Sequence, residues 1–334
     1  MASGQSSRER DPSLQTRQAL RHGAIVELMR RFPPSLSIET ACVTGVRLAA
    51  FGYAFGTLCA APIVDGTRDG EYGDALAVQT VQTDFGDNAS EWNAAYGRIE
   101  NGRLFLMFTG NLQSNFNKLE VFIDSTSGGQ SIFDSAGNDN AERMDGLAFD
   151  AGFTADYHVI ARRGLSKFDL DFADLAAQTA TFHENVFAGA DAGTGSTGIG
   201  VNAGPIDVGY DGSNTAGISG GTGAADQDAA RAVTTGLELS FSLADLDYTD
   251  GPINVMLGQN GDGHHFWSNQ FLGGLEPPRG NLGGDEAGNF TGEGAINLQN
   301  FAGNQFFIVV PEPSATLFAG ASLLVLSWTR RSRR

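Results

Sequence analysis

The sequence predicts an all-β protein: a jelly-roll-like antiparallel β-sandwich that occupies residues 62–310. In about ten short stretches, apolar residues alternate with polar ones, or β-branched and aromatic residues cluster. Gly, Asn and Asp stand between these stretches, where a change of chain direction needs turn-forming residues. Helical periodicity is scarce, and about 250 residues suffice for one large β domain.

The strands are predicted in chain order from these local patterns. The first, residues 76–83, alternates apolar and polar side chains. The next two, 95–99 and 103–108, flank Asn101-Gly102, and Asn-Gly is a strong hairpin signal because the turn requires positive φ. The remaining predicted strands are 118–124, 157–161, 168–172, 179–182, 237–241, 253–257 and 305–309.

Residues 188–226 differ from the rest of the domain, since twelve of these 39 residues are Gly and few are bulky. This composition predicts an irregular Gly-rich insertion. The spacing of Gly193, Gly195 and Gly198 matches a dinucleotide-binding fingerprint, but that motif needs a hydrophobic strand before it and a helix after it. The flanking residues supply neither, so nucleotide binding is not expected.

Residues 1–61 are predicted to be an N-terminal extension that ends in a secretory signal peptide. The apolar stretch 48–61 predicts the signal helix, because Arg30, Arg31 and Arg47 precede it and small residues end it. Met29 is an alternative start. Both cysteines, Cys42 and Cys59, lie in this region, so the mature protein is expected to hold no disulfide.

The last 24 residues, 311–334, predict a short C-terminal hydrophobic helix with a sorting role. The apolar segment 315–328 would form about 21 Å of helix, whereas a lasting membrane span needs about 20 apolar residues. The helix is therefore sufficient to pause the chain in a bilayer, and the arginines behind it would stay cytoplasmic. The residues of the motif are Pro311, Glu312 and Pro313 before the helix, and Arg330, Arg331, Arg333 and Arg334 after it.

This layout resembles the PEP-CTERM sorting signal of Gram-negative bacteria. The resemblance implies that an exosortase-type processing enzyme recognises the Pro-Glu-Pro motif at Pro311 and processes the tail. It also implies export through the inner membrane, transient anchoring by the tail, and then release to the cell surface or the extracellular matrix. The alternative is a C-terminal hydrophobic helix that matches the signal by chance.

The charge of the chain is concentrated in the predicted domain. Of 21 basic and 39 acidic residues in the chain, residues 62–310 hold 10 and 34, a net charge of −24. So acidic a surface argues against nucleic acid and anionic lipid headgroups as partners. It is compatible with Ca²⁺ binding or with plain solubility outside the cell.

Four segments of the domain resemble family 9 carbohydrate-binding modules and DOMON-like domains. Residues 62–72 contain Asp65-Gly66, similar to the Ile-Asp-Gly opening of that family, and 103–106, 118–124 and 236–246 resemble three of its strands. The resemblance implies a β-sandwich and a carbohydrate ligand. Ser242 stands where the family pattern has Pro, and the aromatic pair that clamps sugar rings has no match, so the resemblance supports the fold more than the sugar.

Calcium is the best candidate for a cofactor, because Ca²⁺ binds six to eight oxygens from Asp, Asn and backbone carbonyls. An Asp follows the strand 118–124, and acidic and amide residues crowd the next loop. The same residue types are ordinary turn formers, and this simpler interpretation is the one that the sequence favours. The candidate ligands are Asp124, Asp134, Asn138, Asp139 and Asp145.

Aromatic residues are candidates for stacking on sugar rings, with Trp92 and Trp267 as the leading pair. Strand aromatics more often pack in the core, and the sequence favours that alternative. Adjacent residues on a strand point to opposite faces, so His264 and His265 are not expected to share a metal ion.

Neither a nucleophile elbow nor a zinc-protease motif occurs, so we expect no catalysis. The sequence thus predicts an exported, surface-sorted protein of the cell envelope or extracellular matrix that binds or packs against polysaccharide. A surface glycan-degrading enzyme and a purely structural matrix protein are the alternatives.

Overall fold

A computed structural model describes residues 60–189 and 191–311. The described residues form thirteen β-strands in two antiparallel sheets, which confirms the predicted all-β class. The strands are β1 Ala77–Val78, β2 Glu91–Glu100, β3 Arg103–Asn111, β4 Asn115–Asp124, β5 Tyr157–Gly164, β6 Lys167–Asp174, β7 Thr179–Ala188, β8 Ala192–Ser196, β9 Asp207–Asp211, β10 Gly236–Ser242, β11 Ile253–Asn260, β12 Trp267–Leu272 and β13 Phe306–Val309.

One sheet has six strands in the order β1-β2-β3-β10-β9-β8. The other sheet has seven strands. Six follow the order β12-β11-β4-β5-β6-β7, and the seventh, β13, pairs with β11. The predicted hairpin is confirmed: β2 and β3 pair with Glu100 opposite Arg103, and Asn101 and Gly102 both have positive φ. The predicted strand 76–83 is reduced to the two residues of β1.

The main core lies between the sheets and follows the period-two alternation of the strands. On β4, the core-facing residues are Leu119, Val121 and Ile123, and on β10 they include Leu237 and Leu239. The intervening residues therefore point to the outer face of each sheet. This parity places Glu120 and Glu238 on outer faces, where both are nevertheless fully buried.

Helical structure is short in the described part of the chain. The α-helix α1, Gln227–Ala232, begins after Asp226, whose side chain accepts hydrogen bonds from the backbone N–H groups of Asp228 and Ala229. Such a cap satisfies donors that the first turn leaves without partners. The 3₁₀ helices are Gly70–Tyr72, Ala141–Met144, Leu243–Leu246 and Leu298–Asn300.

The outer face of the seven-stranded sheet is covered by loops. Phe122 on β4 and Trp267 on β12 pack in a second apolar cluster against residues of the loops 125–156 and 273–305. Phe122 contacts Phe133 and Phe149 edge-on, with ring centroids 5.2 and 5.0 Å apart. These loops bury charged side chains that would otherwise face solvent.

The outer face of the six-stranded sheet is covered by residues 62–73. Glu238 Oε2 accepts hydrogen bonds from the backbone N–H groups of Asp65 (2.9 Å) and Gly66 (3.1 Å). Glu238 Oε1 accepts a hydrogen bond from the Tyr72 hydroxyl at 2.6 Å. Gly66 has φ +86°, and a Cβ there would lie 2.6 Å from the backbone nitrogen of Asp211, so only glycine allows this close approach. The carboxyl group thus ties the start of the domain to its sheet.

The prediction that 188–226 is irregular is wrong in part. Two strands of this region, β8 and β9, extend the six-stranded sheet at its edge, with Gly193 opposite Tyr210 and Gly195 opposite Val208. Glycine is depleted in strands because it has no side chain to pack, which is why composition predicted a loop. Here the absent side chains leave room for Phe187 and Val186, since a Cβ on Gly193 would lie 2.3 Å from the Phe187 ring.

Pro311 is the last residue that the structure describes. It forms a parallel bridge with Ile99 of β2. The predicted signal helix within 48–61, apart from Ala60 and Ala61, and the predicted C-terminal helix lie outside the described residues, as do Glu312, Pro313, Arg330, Arg331, Arg333 and Arg334. Of the helices that the structure describes, none has the length and apolar character needed to cross a membrane.

Candidate functional site

A polar pocket lies on the outer face of the seven-stranded sheet, beside β7. Residues directly opposite each other in an antiparallel pair share a face. Asp171 on β6 is opposite both Ile160 on β5 and Phe182 on β7. Arg162, two residues after Ile160, therefore lies on the same face as Asp171 and Phe182.

Arg162 forms the floor of this pocket. Its Nη1 contacts Asp171 Oδ1 at 2.9 Å and Asp139 Oδ2 at 3.3 Å. The guanidinium carbon lies 4.9 Å from the centroid of the Phe182 ring, a cation–π contact, and Phe182 is 49% exposed. The pocket has a volume of about 550 Å³ and is lined by Ala136, Gly137, Asn138, Asp139, Arg162, Asp171, Gln178, Thr179, Ala180 and Phe182.

Asn138 closes one side of the pocket. Its Nδ2 donates a hydrogen bond to Asp171 Oδ2 at 3.0 Å, and this bond fixes which end of the amide is the donor. The amide oxygen, Asn138 Oδ1, is buried and has no hydrogen-bond partner among the described residues. It is therefore a polar atom of the site whose hydrogen-bonding capacity the described residues leave unused.

Asp139 links the pocket to a buried charged cluster. Besides Arg162, its Oδ2 contacts Lys118 Nζ at 2.7 Å and His264 Nε2 at 3.2 Å. Burial would raise the pKa of Asp139, but the hydrogen bonds from His264 and Lys118 and the charge of Arg162 hold it well below its usual range. Asp139 is thus a charged group with fixed contacts.

Glu120 lies at the buried end of the cluster. Its Oε1 is 2.8 Å from His264 Nδ1 and its Oε2 is 2.9 Å from His158 Nε2. Burial opposes the charged form, but the charge of His264 and the hydrogen bonds from both imidazoles outweigh it and lower the pKa of Glu120 to about 2. Burial would lower the pKa of His264. The charge of Glu120 and the hydrogen bonds to Asp139 and Glu120 outweigh burial and raise this pKa to about 9.

The polar contacts form one continuous chain, from Glu120 through His264, Asp139 and Arg162 to Asp171. Its members come from three strands and two loops that pack over the sheet. Such a network holds the side chains of a site in place before a ligand arrives. No family model, curated protein or solved structure matches this chain. The two family resemblances of the sequence therefore stay predictions, and the pocket is the feature of the structure that indicates a function.

Two of the candidate calcium ligands, Asn138 and Asp139, are brought together at the pocket. Asp139 contacts cationic side chains there, including Lys118 of β4. Asp124 is six residues further along β4 than Lys118, and six strand residues span about 20 Å. Asp124 therefore lies far from Asn138 and Asp139.

Two of the other candidate calcium ligands accept hydrogen bonds within the protein. Asp124 Oδ2 accepts a hydrogen bond from Asn254 Nδ2 at 2.8 Å, and Asp145 Oδ1 accepts one from the backbone N–H of Ser135 at 2.8 Å. Asp134 is exposed in the same loop. Within the described residues, no group of three or more His, Cys, Asp or Glu side chains is placed to hold a metal ion.

Trp92 and Trp267 are both fully buried, so protein atoms cover the ring faces that would stack on a sugar. Trp92 Nε1 donates a hydrogen bond to Gln259 Oε1 at 2.8 Å, and Trp267 Nε1 donates one to the carbonyl of Gly294 at 2.6 Å. Their indole N–H groups are thus satisfied inside the fold. This placement supports the core alternative for both residues.

Sequence reasoning did not single out Arg162, Asp171 or Phe182. A usable signal was present, because Lys118 and Glu120 alternate with core residues on one predicted strand and Asp169 and Asp171 do so on another. Two strands with a charged outer face, β4 and β6, on either side of β5 would indicate a polar site.

Proposed function

We propose that the chain is an exported, surface-sorted, non-catalytic protein of the cell envelope or extracellular matrix, and that it binds extracellular polysaccharide in the pocket at Arg162. The observation that carries the proposal is the half-exposed Phe182 ring over an ion-paired guanidinium in an open polar pocket. An aromatic ring contacts the apolar C–H face of a sugar, while fixed polar groups bind its hydroxyls.

The architecture supports the same proposal at the level of analogy. Lectin domains are among the proteins built on jelly-roll sandwiches, the finer form of the fold that the sequence predicts. The segments that resemble family 9 carbohydrate-binding modules include the strand of Lys118 and Glu120, which holds the buried end of the site.

The ion pairs favour binding over hydrolysis. A glycosidase needs one carboxyl group that stays protonated near neutral pH, next to a second that stays charged. Asp139 and Asp171 both contact the same nitrogen of Arg162, so both carboxyl groups are engaged in ion pairs. The pKa of Asp139 is lowered, the opposite of what a general acid requires.

Export and sorting rest on the apolar segment 48–61 and on the tail 311–334. The proposed partner in processing is an exosortase-type enzyme that acts at Pro311-Glu312-Pro313. The proposed route is transfer through the inner membrane and transient anchoring by the tail, followed by release to the surface or matrix. Ca²⁺ remains a candidate ligand of the loop 125–156, and nucleic acid is not a proposed partner.

The proposal is tested with the purified full-length protein on a glycan array, together with an assay for released reducing ends. We expect binding to at least one polysaccharide, no release of reducing ends, and loss of binding in Phe182→Ala. Phe290→Ala is the matched control, because Phe290 is also an exposed phenylalanine, 67% accessible, that packs on His265 and does not line the pocket.

Other results would support the alternatives. Release of reducing ends that Asp139→Asn or Asp171→Asn abolishes would show a glycan-degrading enzyme. Neither binding nor release with any polysaccharide would leave the structural matrix role. Binding that both phenylalanine variants retain would place the glycan elsewhere on the protein.

A further inference from the structure

The pocket wall offers acceptors to a ligand. The side chain of Asp139 is 25% exposed and presents carboxylate oxygens to the pocket, while Asn138 Oδ1 and the Asp171 carboxylate are buried in its wall. A sugar hydroxyl can donate to such atoms, whereas a carboxylate or sulfate has no hydrogen to donate and would face oxygens that repel it.

The cationic groups beneath the pocket are already paired. Arg162 Nη1 contacts Asp139 and Asp171, and Lys118 Nζ contacts Asp139 at 2.7 Å. Recognition of an anionic sugar by arginine uses a bidentate pair of N–H groups directed at the anion. Here one arm of the guanidinium is held by protein carboxylates, and the Phe182 ring lies over its face.

The charge of the whole domain acts in the same direction. Residues 62–310 hold 34 acidic and 10 basic residues. A field of this sign lowers the local concentration of polyanions and slows their association. A neutral polymer experiences neither effect, and the apolar face of its rings matches the half-exposed ring of Phe182.

We infer that the pocket at Arg162, Asn138 and Phe182 selects neutral polysaccharide chains and excludes uronic-acid and sulfated ones. This inference rests on the proposed polysaccharide-binding function and names its ligand class. Phe182 supplies the stacking surface, the partly exposed carboxylate of Asp139 accepts a hydrogen bond from a sugar hydroxyl, and Asp139 and Asp171 hold Arg162 in place.

The test is affinity electrophoresis of the full-length protein in gels that contain a neutral polymer, hydroxyethyl cellulose or galactomannan, or an anionic one, alginate or polygalacturonate. We expect retardation by a neutral polymer only, with the same dissociation constant at low and at moderate salt. Phe182→Ala should weaken binding by about tenfold, and Phe182→Tyr, which keeps the ring, should retain it. Phe290→Ala should match the parent, and equal melting temperatures of all variants will confirm that they fold.

Three results would overturn the inference, and they are distinguishable. Retardation by alginate or polygalacturonate that salt weakens and Phe182→Ala abolishes would show an anionic ligand, and polysaccharide binding itself would stand. Neutral binding that Phe182→Ala leaves unchanged would remove this pocket as the site. Absence of retardation by every polymer would overturn the polysaccharide-binding function and the inference with it.

Discussion

Glu120 and Glu238 occupy corresponding places in the two sheets and differ in what surrounds them. Each lies on the outer face of an inner strand, β4 or β10, and each is fully buried under a covering segment. Glu120 contacts two imidazoles, His158 and His264. Glu238 receives its hydrogen bonds from neutral donors, namely the Tyr72 hydroxyl and backbone N–H groups.

The partners decide the direction of the pKa shift. Burial raises the pKa of Glu238 to about 7, against the lowering effect of its neutral donors. Burial acts on Glu120 in the same direction, yet the charge of His264 and two imidazole hydrogen bonds lower its pKa to about 2. Desolvation is thus common to both sheets, and a cationic partner is what reverses its effect.

The difference separates two uses of a buried carboxyl group. Glu120 is charged at neutral pH and anchors the contacts that run through His264 and Asp139 to Arg162 at the pocket. Glu238 ties residues 62–73 to the six-stranded sheet and changes its protonation near neutral pH. The first arrangement serves a site, and the second closes the fold.

The largest expected effect comes from Glu120→Gln. An amide can accept from one imidazole only, and it leaves the buried, protonated His264 with Asp139 as its remaining acidic partner. Removing one partner of a buried ion pair costs about 3–5 kcal/mol. Urea unfolding at pH 7 should show this loss in the free energy of unfolding.

The control for Glu120→Gln is Glu184→Gln, which removes an exposed glutamate paired with Lys167. It should leave the free energy of unfolding within experimental error of the parent. Equal losses in the two variants would contradict a special role for the buried cluster.

Glu238→Gln should raise the free energy of unfolding, whereas Glu120→Gln should lower it. The pKa of Glu238 is raised from its ordinary value near 4.5 to about 7. The folded state then binds the proton more tightly, so its stabilising contribution is complete below about pH 4.5 and is lost as pH rises to about 7. Glutamine resembles the protonated acid and does not titrate. Glu238→Gln should therefore be more stable than the parent by on the order of 3 kcal/mol at pH 8.

Unfolding curves of the two proteins from pH 4 to pH 8 test this prediction. The difference between Glu238→Gln and the parent should shrink toward zero near pH 4. A constant difference across the range would mean that Glu238 is not the titrating group.

His264 provides an effect of similar size in a second pH window. Its pKa is raised from 6.5 to about 9, so its contribution is complete below about pH 6.5 and is lost as pH rises through about 9. Neutral imidazole keeps one donor for Glu120 and loses the hydrogen bond to Asp139, and the change in pKa corresponds to a loss on the order of 3 kcal/mol, as at Glu238. The measurement is made in the Glu238→Gln background, which removes the other titrating group. The free energy of unfolding should fall between pH 6.5 and 9, and the additional substitution His264→Asn should abolish this pH dependence.

The strands and the site differ in how far the sequence predicts them. Alternation and the turn Asn101-Gly102 are local, so they were sufficient to place β2 and β3. The contact between Asp139 and His264 joins two loops 125 residues apart in the chain. No local pattern encodes such a contact, because it depends on the order of strands in the sheet.

Burial of the charged residues was also outside the reach of local patterns. Charged residues at alternate positions of β4, such as Lys118 and Glu120, normally indicate a solvent-facing side of a strand. The loop 125–156 covers that side here. Burial of Trp92 and Trp267, by contrast, agrees with the general behaviour of strand aromatics.

The smallest predicted effect, from Tyr72→Phe, tests the neutral partners of Glu238. The variant removes the hydroxyl that donates to Glu238 Oε1 and keeps the buried ring. Loss of a hydrogen bond to a charged group costs about 1–2 kcal/mol at pH 8, and less near pH 5, where the acid is protonated. Since this bond lowers the pKa of Glu238, its removal should move the pH window of the stability loss upward. Unfolding of Tyr72→Phe and of the parent at pH 5 and pH 8 gives the free-energy cost of losing the hydroxyl at each pH. The control is Tyr248→Phe, which removes a hydroxyl that donates to the carbonyl of Gly251. A cost that is the same at both pH values would show that the hydroxyl does not stabilise the charged form of Glu238.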